Sequence, residues 1–159
     1  MHVDFKDVRG QEHGKRGLEV AAAGGHSVCL VGPTGSGKTM LAHATSGILP
    51  DLLPSEQMAL TEAYRKAGMI NHDATVHHRP FYAPVPSEHI RSLIGTAKQT
   101  GAMERAGNGI LLFDNAMDFG IKLSQLFQAN QLRQMAASIA KSTADQNAPI
   151  IIMTYTLSG

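Results

Sequence analysis

Residues 27–39 read SVCLVGPTGSGKT, and this stretch decides the fold. It begins with the short apolar run Ser27 to Val31 and continues into Gly32-Pro33-Thr34-Gly35-Ser36-Gly37-Lys38-Thr39, which fits the pattern G-x-x-x-x-G-K-[ST] in full. Glycines at this spacing let the backbone wrap so that successive N–H groups face one anion, and a helix starting near Gly37 adds the positive end of its dipole. The stretch therefore predicts a strand, a phosphate-binding loop and a helix in direct succession.

Two further apolar runs accompany the first, one at 109–113 before Asp114 and one at 150–153 after Pro149. All three are continuously apolar, which is typical of parallel strands buried on both faces. Helices are predicted between them, at 11–23, at 38–48, at 55–67 with Ser55 as N-cap, and at 121–140 with apolar residues at 123, 126, 127, 135, 136 and 139 on one face. Strands alternating with helices predict an α/β layered fold with a parallel sheet. The Pro-rich stretch 77–86 is predicted to be an irregular surface loop.

Length and composition narrow the class of protein. The 159 residues predict one domain over 1–159, large enough to bury a core without disulfides. A formal net charge of +1 provides no general field that would attract nucleic acid, and no apolar run approaches the length of a membrane span. Cys29 is the one cysteine and is expected to be a buried hydrophobe in the first strand, which suits a reducing compartment such as the cytoplasm. The eight histidines lack the spacing of a zinc site, so they are interpreted as surface or hydrogen-bonding residues.

The loop and the carboxylate after the second apolar run together predict a nucleotide site. Lys38 is expected to reach the β- and γ-phosphates, and the Thr39 hydroxyl to ligate Mg²⁺. Asp114 follows four apolar residues, the position that holds Mg²⁺ through a coordinated water in proteins with this loop. The alternative is that Asp114 merely caps the next helix.

The residue after Asp114 bears on turnover. ATP hydrolysis usually uses a carboxylate near the γ-phosphate to polarise water, and Asn115 offers an amide that is a negligible base. Asp118, one helical turn on, is the alternative carboxylate. The sequence has no N-K-x-D segment, which favours adenine over guanine. The candidate catalytic residues are therefore Lys38, Asp114 and Asn115.

Several stretches resemble the magnesium-chelatase-like AAA+ ATPases, namely DFKDVRGQE at 4–12, LEVAAAGGH at 18–26, RPFYAP at 79–84 and AGNGILLFD at 106–114. They are closer to the competence-type (ComM/YifB) branch, linked to DNA recombination, than to the chelatase motor subunits of tetrapyrrole synthesis. The resemblance implies the N-terminal part of an AAA+ P-loop NTPase core, a three-layer sandwich whose strand order differs from chain order. It also implies Mg-ATP held between neighbouring subunits of a hexameric ring, with adenine near Val8 and Gln11 and with Met40 beside the loop.

The sequence departs from the family pattern in ways that bear on hydrolysis. The family has a glutamate where this chain has Asn115 and a sensor asparagine at the end of the third strand, where 153–157 reads MTYTL. The chain is also expected to be truncated, since Gly159 precedes the family's arginine finger, last strand and helical lid. We therefore expect Mg-ATP binding with weak or absent hydrolysis by the isolated chain.

Two alternatives remain open for the function. One is an active motor subunit, for DNA remodelling or metal chelation, that neighbouring subunits complete. The other is a non-catalytic scaffold subunit of a ring in which bound nucleotide stabilises the fold. Direct nucleic-acid binding has little support, because the basic pairs at 15–16 and 65–66 are not interleaved with aromatic residues.

Overall fold

The computed structural model describes residues 3–139 and 148–158. Within these residues one parallel sheet is formed by four strands: β1 (Val28–Gly32), β2 (Phe81–Tyr82), β3 (Ile110–Phe113) and β4 (Ile150–Thr156). The strands lie in the order β1-β4-β3-β2, so β4 inserts between β1 and β3. The strand order therefore differs from the chain order, as the resemblance implied.

Helices cover the sheet on two sides. They are α1 (Glu12–Gly24), α2 (Lys38–Ala44), α3 (Pro54–Lys66), α4 (Ile90–Ile94), α5 (Ala102–Arg105) and α6 (Ile121–Ile139). Leu18 of α1 and Leu41 of α2 pack on one face of the sheet, and Leu93 of α4 and Leu126 of α6 pack on the other. All four side chains of β3 are buried because helices lie over both of its faces. The predicted α/β three-layer fold is confirmed.

Strand β1 differs from β3 in its burial. Val28 and Leu30 pack toward α1 and α2, but Cys29 and Val31 are exposed. The reason is that β1 is the edge strand, and the described residues of the core cluster on the opposite face come from β2, β3 and β4 but not from β1. The prediction that this strand is buried on both faces is wrong, and so is the prediction of a buried Cys29.

The observed bounds of helices α1 and α3 are shifted by one residue from those predicted, and α2 is shorter than predicted. Helix α2 ends at Ala44 and continues as a 3₁₀ turn, Thr45–Ile48. Helix α3 begins at Pro54, which is favoured as the first helical residue because it has no N–H to satisfy. Leu53 is therefore the N-cap residue, and its backbone N–H donates to Glu56 Oε2 at 2.8 Å. The assignment of Ser55 as N-cap is wrong.

Helix α6 is buried only along its first half. Leu123 and Leu126 pack in the core, but the side chains of Met135 and Ile139 are 56% and 84% exposed. The second half of the predicted apolar face, beyond the interruption at Asn130 and Gln131, is thus exposed, and residue 140 of the predicted helix lies outside the described residues. No helix in the described ranges combines the length and apolarity that crossing a bilayer requires.

The stretch 77–86 contains a strand where an irregular loop was predicted. Phe81 and Tyr82 form β2, which pairs in parallel with the start of β3. The pairing requires glycine at 109, because a Cβ there would lie 1.8 Å from the Pro80 carbonyl oxygen. Arg79 holds the segment in place by donating to the carbonyl oxygens of Asn108, at 2.8 Å, and Pro50, at 2.6 Å.

Candidate functional site

The carboxyl ends of β1, β3 and β4 meet at a cavity of about 410 Å³. Ligands of parallel α/β sheets bind at this end of the strands. Because β4 lies between β1 and β3, its last residues separate the loop after β1 from the turn after β3. The cavity is lined by six residues of the loop and α2 and four from the ends of β3 and β4, namely Thr34, Gly35, Gly37, Lys38, Thr39, Met40, Asp114, Asn115, Thr154 and Thr156.

The loop after β1 has the backbone conformation of an anion-binding nest. Gly35 and Gly37 have φ of +77° and +89°, in the left-handed region that favours glycine. Such turns direct successive N–H groups to one side of the loop, and α2 begins at the next residue, Lys38. The cavity lining does not include three other residues of the loop, namely Gly32, Pro33 and Ser36.

The Lys38 side chain points into the loop. Its Nζ donates to the carbonyl oxygens of Gly32, at 2.9 Å, and Pro33, at 2.8 Å, and lies 3.4 Å from Ser36 Oγ. The positive charge is therefore held beside the cavity, where it can attract a polyphosphate.

Two threonine hydroxyls converge on the Asp114 carboxylate. Thr39 Oγ1 lies 2.9 Å from Oδ1 and 3.1 Å from Oδ2, and Thr154 Oγ1 donates to Oδ1 at 2.7 Å. Since a hydroxyl has one hydrogen and two lone pairs, Thr39 can donate to Asp114 and still offer an oxygen lone pair to a cation. Hydroxyl and carboxylate oxygens are the ligands that Mg²⁺ prefers, so this pair could hold it. The alternative that Asp114 caps the following turn is not supported, because Asn115 is the residue that flanks that turn.

Asn115 adopts a left-handed conformation, with φ of +56° and ψ of +63°. Its backbone N–H donates to Thr154 Oγ1 at 2.7 Å, and its side-chain Nδ2 donates to Asp118 Oδ2 at 3.1 Å. Asparagine is among the few residues with Cβ that tolerate this backbone conformation. Asn115 is therefore held by one hydrogen bond from its backbone and one from its side-chain amide, and the second is accepted by the Asp118 carboxylate.

Thr154 is the site residue that sequence reasoning missed. It is only 2% exposed, and its hydroxyl donates to Asp114 and accepts from the Asn115 N–H, 40 and 39 residues away in the chain. A possible signal was the pair of threonines, Thr154 and Thr156, at the polar end of the third apolar run. The sequence alone does not show that β4 lies between β1 and β3, so it could not bring these threonines next to Asp114.

The two residues predicted to lie near adenine, Val8 and Gln11, have different surroundings in the structure. Val8 is 4% exposed and packs in the core with Leu18 and Leu41. The side chain of Gln11 instead reaches the loop, where its Nε2 donates to the Ser36 carbonyl oxygen at 2.8 Å. Neither residue lines the cavity, whereas Met40 does. The adenine contact of Val8 and Gln11 remains a prediction.

A family model described as "Magnesium chelatase, subunit ChlI" matches residues 4–154. The chain belongs to this magnesium-chelatase-like family. The matched range includes nine of the ten residues that line the cavity and ends two residues before the tenth, Thr156. The family assignment supports an AAA+ ATPase-like module.

Curated relatives place the chain near the ComM/YifB members of the magnesium-chelatase-like family. It is 42% identical to YifB of Salmonella typhimurium over 122 residues, and 40% identical to YifB of Escherichia coli over 124 residues. It is also 36% identical to the competence protein ComM of Haemophilus influenzae over 126 residues. These matches cover 74 to 76% of this chain but 24% of each relative, so the chain spans about a quarter of their length.

Proposed function

We propose that this chain binds Mg-ATP in the cavity at the end of β1, β3 and β4, and hydrolyses it slowly or not at all on its own. The observation that carries the proposal is the convergence of Thr39 and Thr154 on Asp114, directly beside the loop that contains Lys38. These contacts join residues that lie up to 75 positions apart in the chain, so they are a property of the fold and not of one local turn.

The binding half of the proposal assigns a role to each residue. The N–H groups of the loop and the Lys38 ammonium would hold the phosphates, and Met40 would flank the nucleotide. Thr39 and Asp114 would hold Mg²⁺, with Thr154 fixing the carboxylate. When bound, Mg²⁺ neutralises phosphate charge and orients the chain of phosphates. The lack of an N-K-x-D segment supports adenine as the base.

The turnover half of the proposal depends on Asn115. An amide cannot take a proton from water, so the position next to Asp114 lacks a base. Asp118 is the nearest described alternative, but its Oδ2 already accepts a hydrogen bond from Asn115 Nδ2. Bound ATP would therefore be hydrolysed slowly or not at all.

Calorimetric titration of the chain with Mg-ATP tests the binding half. The Lys38→Ala variant removes the charge held in the loop and should weaken ATP binding by about 100-fold or more. Lys66→Ala is the matched control, because Lys66 is an exposed lysine of α3 paired with Glu62. Equal affinities of the wild type and Lys38→Ala would contradict the proposed site.

Turnover measured over a range of chain concentrations tests the other half. The proposal expects a rate that stays near background at every concentration. A rate per chain that rises with concentration would favour the alternative of an active motor completed by neighbouring copies. A melting temperature raised by bound nucleotide is expected of the proposal and of the scaffold alternative alike, because a ligand that binds only the folded state stabilises it.

A further inference from the structure

One hydrogen bond connects the phosphate loop to the segment that precedes α1. Gln11 Nε2 donates to the Ser36 carbonyl oxygen at 2.8 Å, across 25 residues of sequence. We propose that Gln11 is a positioning residue for the loop: by holding the Ser36 carbonyl, it directs the Gly37 N–H toward the phosphates. This proposal rests on the proposed function, and it assigns Gln11 to the phosphate end of the nucleotide rather than to the base.

The direction of the Gly37 N–H follows from peptide geometry. In a trans peptide the C=O and the N–H of the next residue point in opposite directions, and no cis peptide is found in the described residues. A Ser36 carbonyl directed at Gln11 therefore turns the Gly37 N–H away from Gln11. Gly37 lines the cavity and Gln11 does not, so the N–H is directed to the cavity side of the loop.

The Ser36–Gly37 peptide needs such an external contact. Gly37 has φ of +89°, and an added Cβ there would meet no atom within 4 Å, so side-chain packing at Gly37 does not restrict the peptide that precedes it. A hydrogen bond from outside the loop selects one orientation before any ligand binds. Preorganised donors bind an anion more tightly because they lose less freedom on binding.

Gln11 is itself well fixed at the start of α1. Gly10 and Gln11 are both left-handed, with φ of +70° and +57°, and the Gln11 carbonyl accepts the N–H of Lys15 at 2.9 Å. A left-handed residue with a Cβ is strained and persists only where its surroundings determine it. Gln11 is exposed, and the contacts that restrain it are its hydrogen bonds with Ser36 and Lys15. Helix α1, which begins at the next residue, packs closely on the helix that follows the loop, since an added Cβ on Gly14 would lie 3.2 Å from Leu41 Cδ1 of α2.

Inorganic tripolyphosphate separates this role from contact with the base. It has the phosphates of ATP but no adenosine. If Gln11 acts through the loop, its replacement weakens binding of both compounds by the same factor. If Gln11 contacts adenine, its replacement weakens binding of ATP alone.

The experiment compares wild type with Gln11→Met, which keeps the length of the side chain but removes its donor. Titration with Mg-ATP and with Mg-tripolyphosphate should each give a dissociation constant raised about fivefold, the size expected for one hydrogen bond. Gln57→Met is the matched control, because Gln57 Nε2 donates to the Leu52 carbonyl at the start of α3, away from the loop. Its two dissociation constants should equal those of the wild type, and melting temperatures should show that both variants are folded.

A second variant tests whether the effect grows when the donor is replaced by an acceptor. Gln11→Glu presents an acceptor to the Ser36 carbonyl, so it should weaken binding of both compounds by more than Gln11→Met does. Loss of ATP affinity with unchanged tripolyphosphate affinity would overturn the proposal in favour of a base contact. Unchanged affinity for both compounds would also overturn it. Failure of the wild type to bind either compound would instead contradict the proposed function on which the proposal rests.

Discussion

The two sides of the cavity differ in the chemical groups that they contribute. On the side of the loop, Lys38 is held by loop carbonyl oxygens, and Thr39 and Thr154 contact the Asp114 carboxylate. These are the charges and oxygen ligands that bind phosphate and a hard cation. On the side of the turn after β3, Asn115 contributes an amide, held in a left-handed conformation. Under the proposed function, this difference assigns nucleotide binding and turnover to separate residues, so that a chain could keep the first without the second. The predictions below alter one side at a time.

After the Lys38→Ala variant described above, the largest effect is expected at Asp114. Asp114→Asn removes the negative charge that faces Thr39, so it should remove most of the Mg²⁺ dependence of ATP binding. We expect the ATP dissociation constant in the presence of Mg²⁺ to rise about 10- to 100-fold, toward the value measured in EDTA. Calorimetry with and without Mg²⁺ measures this directly.

Asp118→Asn is the matched change on the turn side. Asp118 is exposed and contacts Asn115 Nδ2, so its replacement should leave the Mg²⁺ dependence unchanged. Equal loss of Mg²⁺ dependence in the two variants would show that the two sides of the cavity are not separable.

A smaller effect is expected at Thr154, which connects the two sides. Thr154→Val keeps the shape of the side chain but leaves Asp114 without one donor and the Asn115 N–H without its acceptor. We expect the free energy of unfolding to fall by about 1–3 kcal/mol and the Mg²⁺ dependence of ATP binding to weaken, while Thr154→Ser should restore both. Chemical denaturation and the same titrations provide the measurements.

Thr45→Val is the control for loss of a buried hydroxyl. Thr45 is 1% exposed, and its hydroxyl donates to the Leu41 carbonyl within the same helical segment. Its replacement should leave the Mg²⁺ dependence as in the wild type. A Thr154→Val variant that behaves like Thr45→Val would remove Thr154 from the account of the site.

The smallest effect is expected at Asn115. Asn115→Glu introduces the carboxylate that the family resemblance implies, but glutamate tolerates the left-handed conformation less well than asparagine and would lie beside Asp118. We expect the free energy of unfolding to fall by about 1 kcal/mol. Turnover by a monomeric sample should stay at the wild-type level, because no neighbouring subunit is then present to supply a cation in trans.

Asn115→Gly separates backbone strain from loss of the side chain. Glycine adopts a positive φ without strain, so this variant should be about as stable as the wild type. An Asn115→Glu variant with unchanged stability would contradict the strained turn. One with rapid turnover as a monomer would contradict the need for a cation supplied in trans.

Local patterns in the sequence predicted much of this site. The loop, Asp114 and the three long strands were all visible as short patterns, because each depends on neighbouring residues. The same holds for Asn115, which is identified simply by following Asp114. Such features need no knowledge of how distant segments meet.

Features that depend on distant segments were missed. The contact of Thr154 with Asp114 requires β4 to insert between β1 and β3, and the exposure of Cys29 requires β1 to be an edge strand. Strand β2 forms because a glycine at 109 admits the Pro80 carbonyl, a contact between residues that are 29 positions apart. Apolar runs alone do not determine strand order, so none of these could be predicted from them.

The most direct test of the central claim is a single-turnover measurement on the wild-type chain. The chain is mixed with less than one equivalent of Mg-ATP, and the bound nucleotide is identified after increasing times. The account predicts that the nucleotide is bound but remains ATP. Its conversion to ADP should be far slower than about 1 s⁻¹, the lower end of the turnover rates of typical enzymes. Bound nucleotide that becomes ADP at such a rate, in a sample shown to be monomeric, would contradict it.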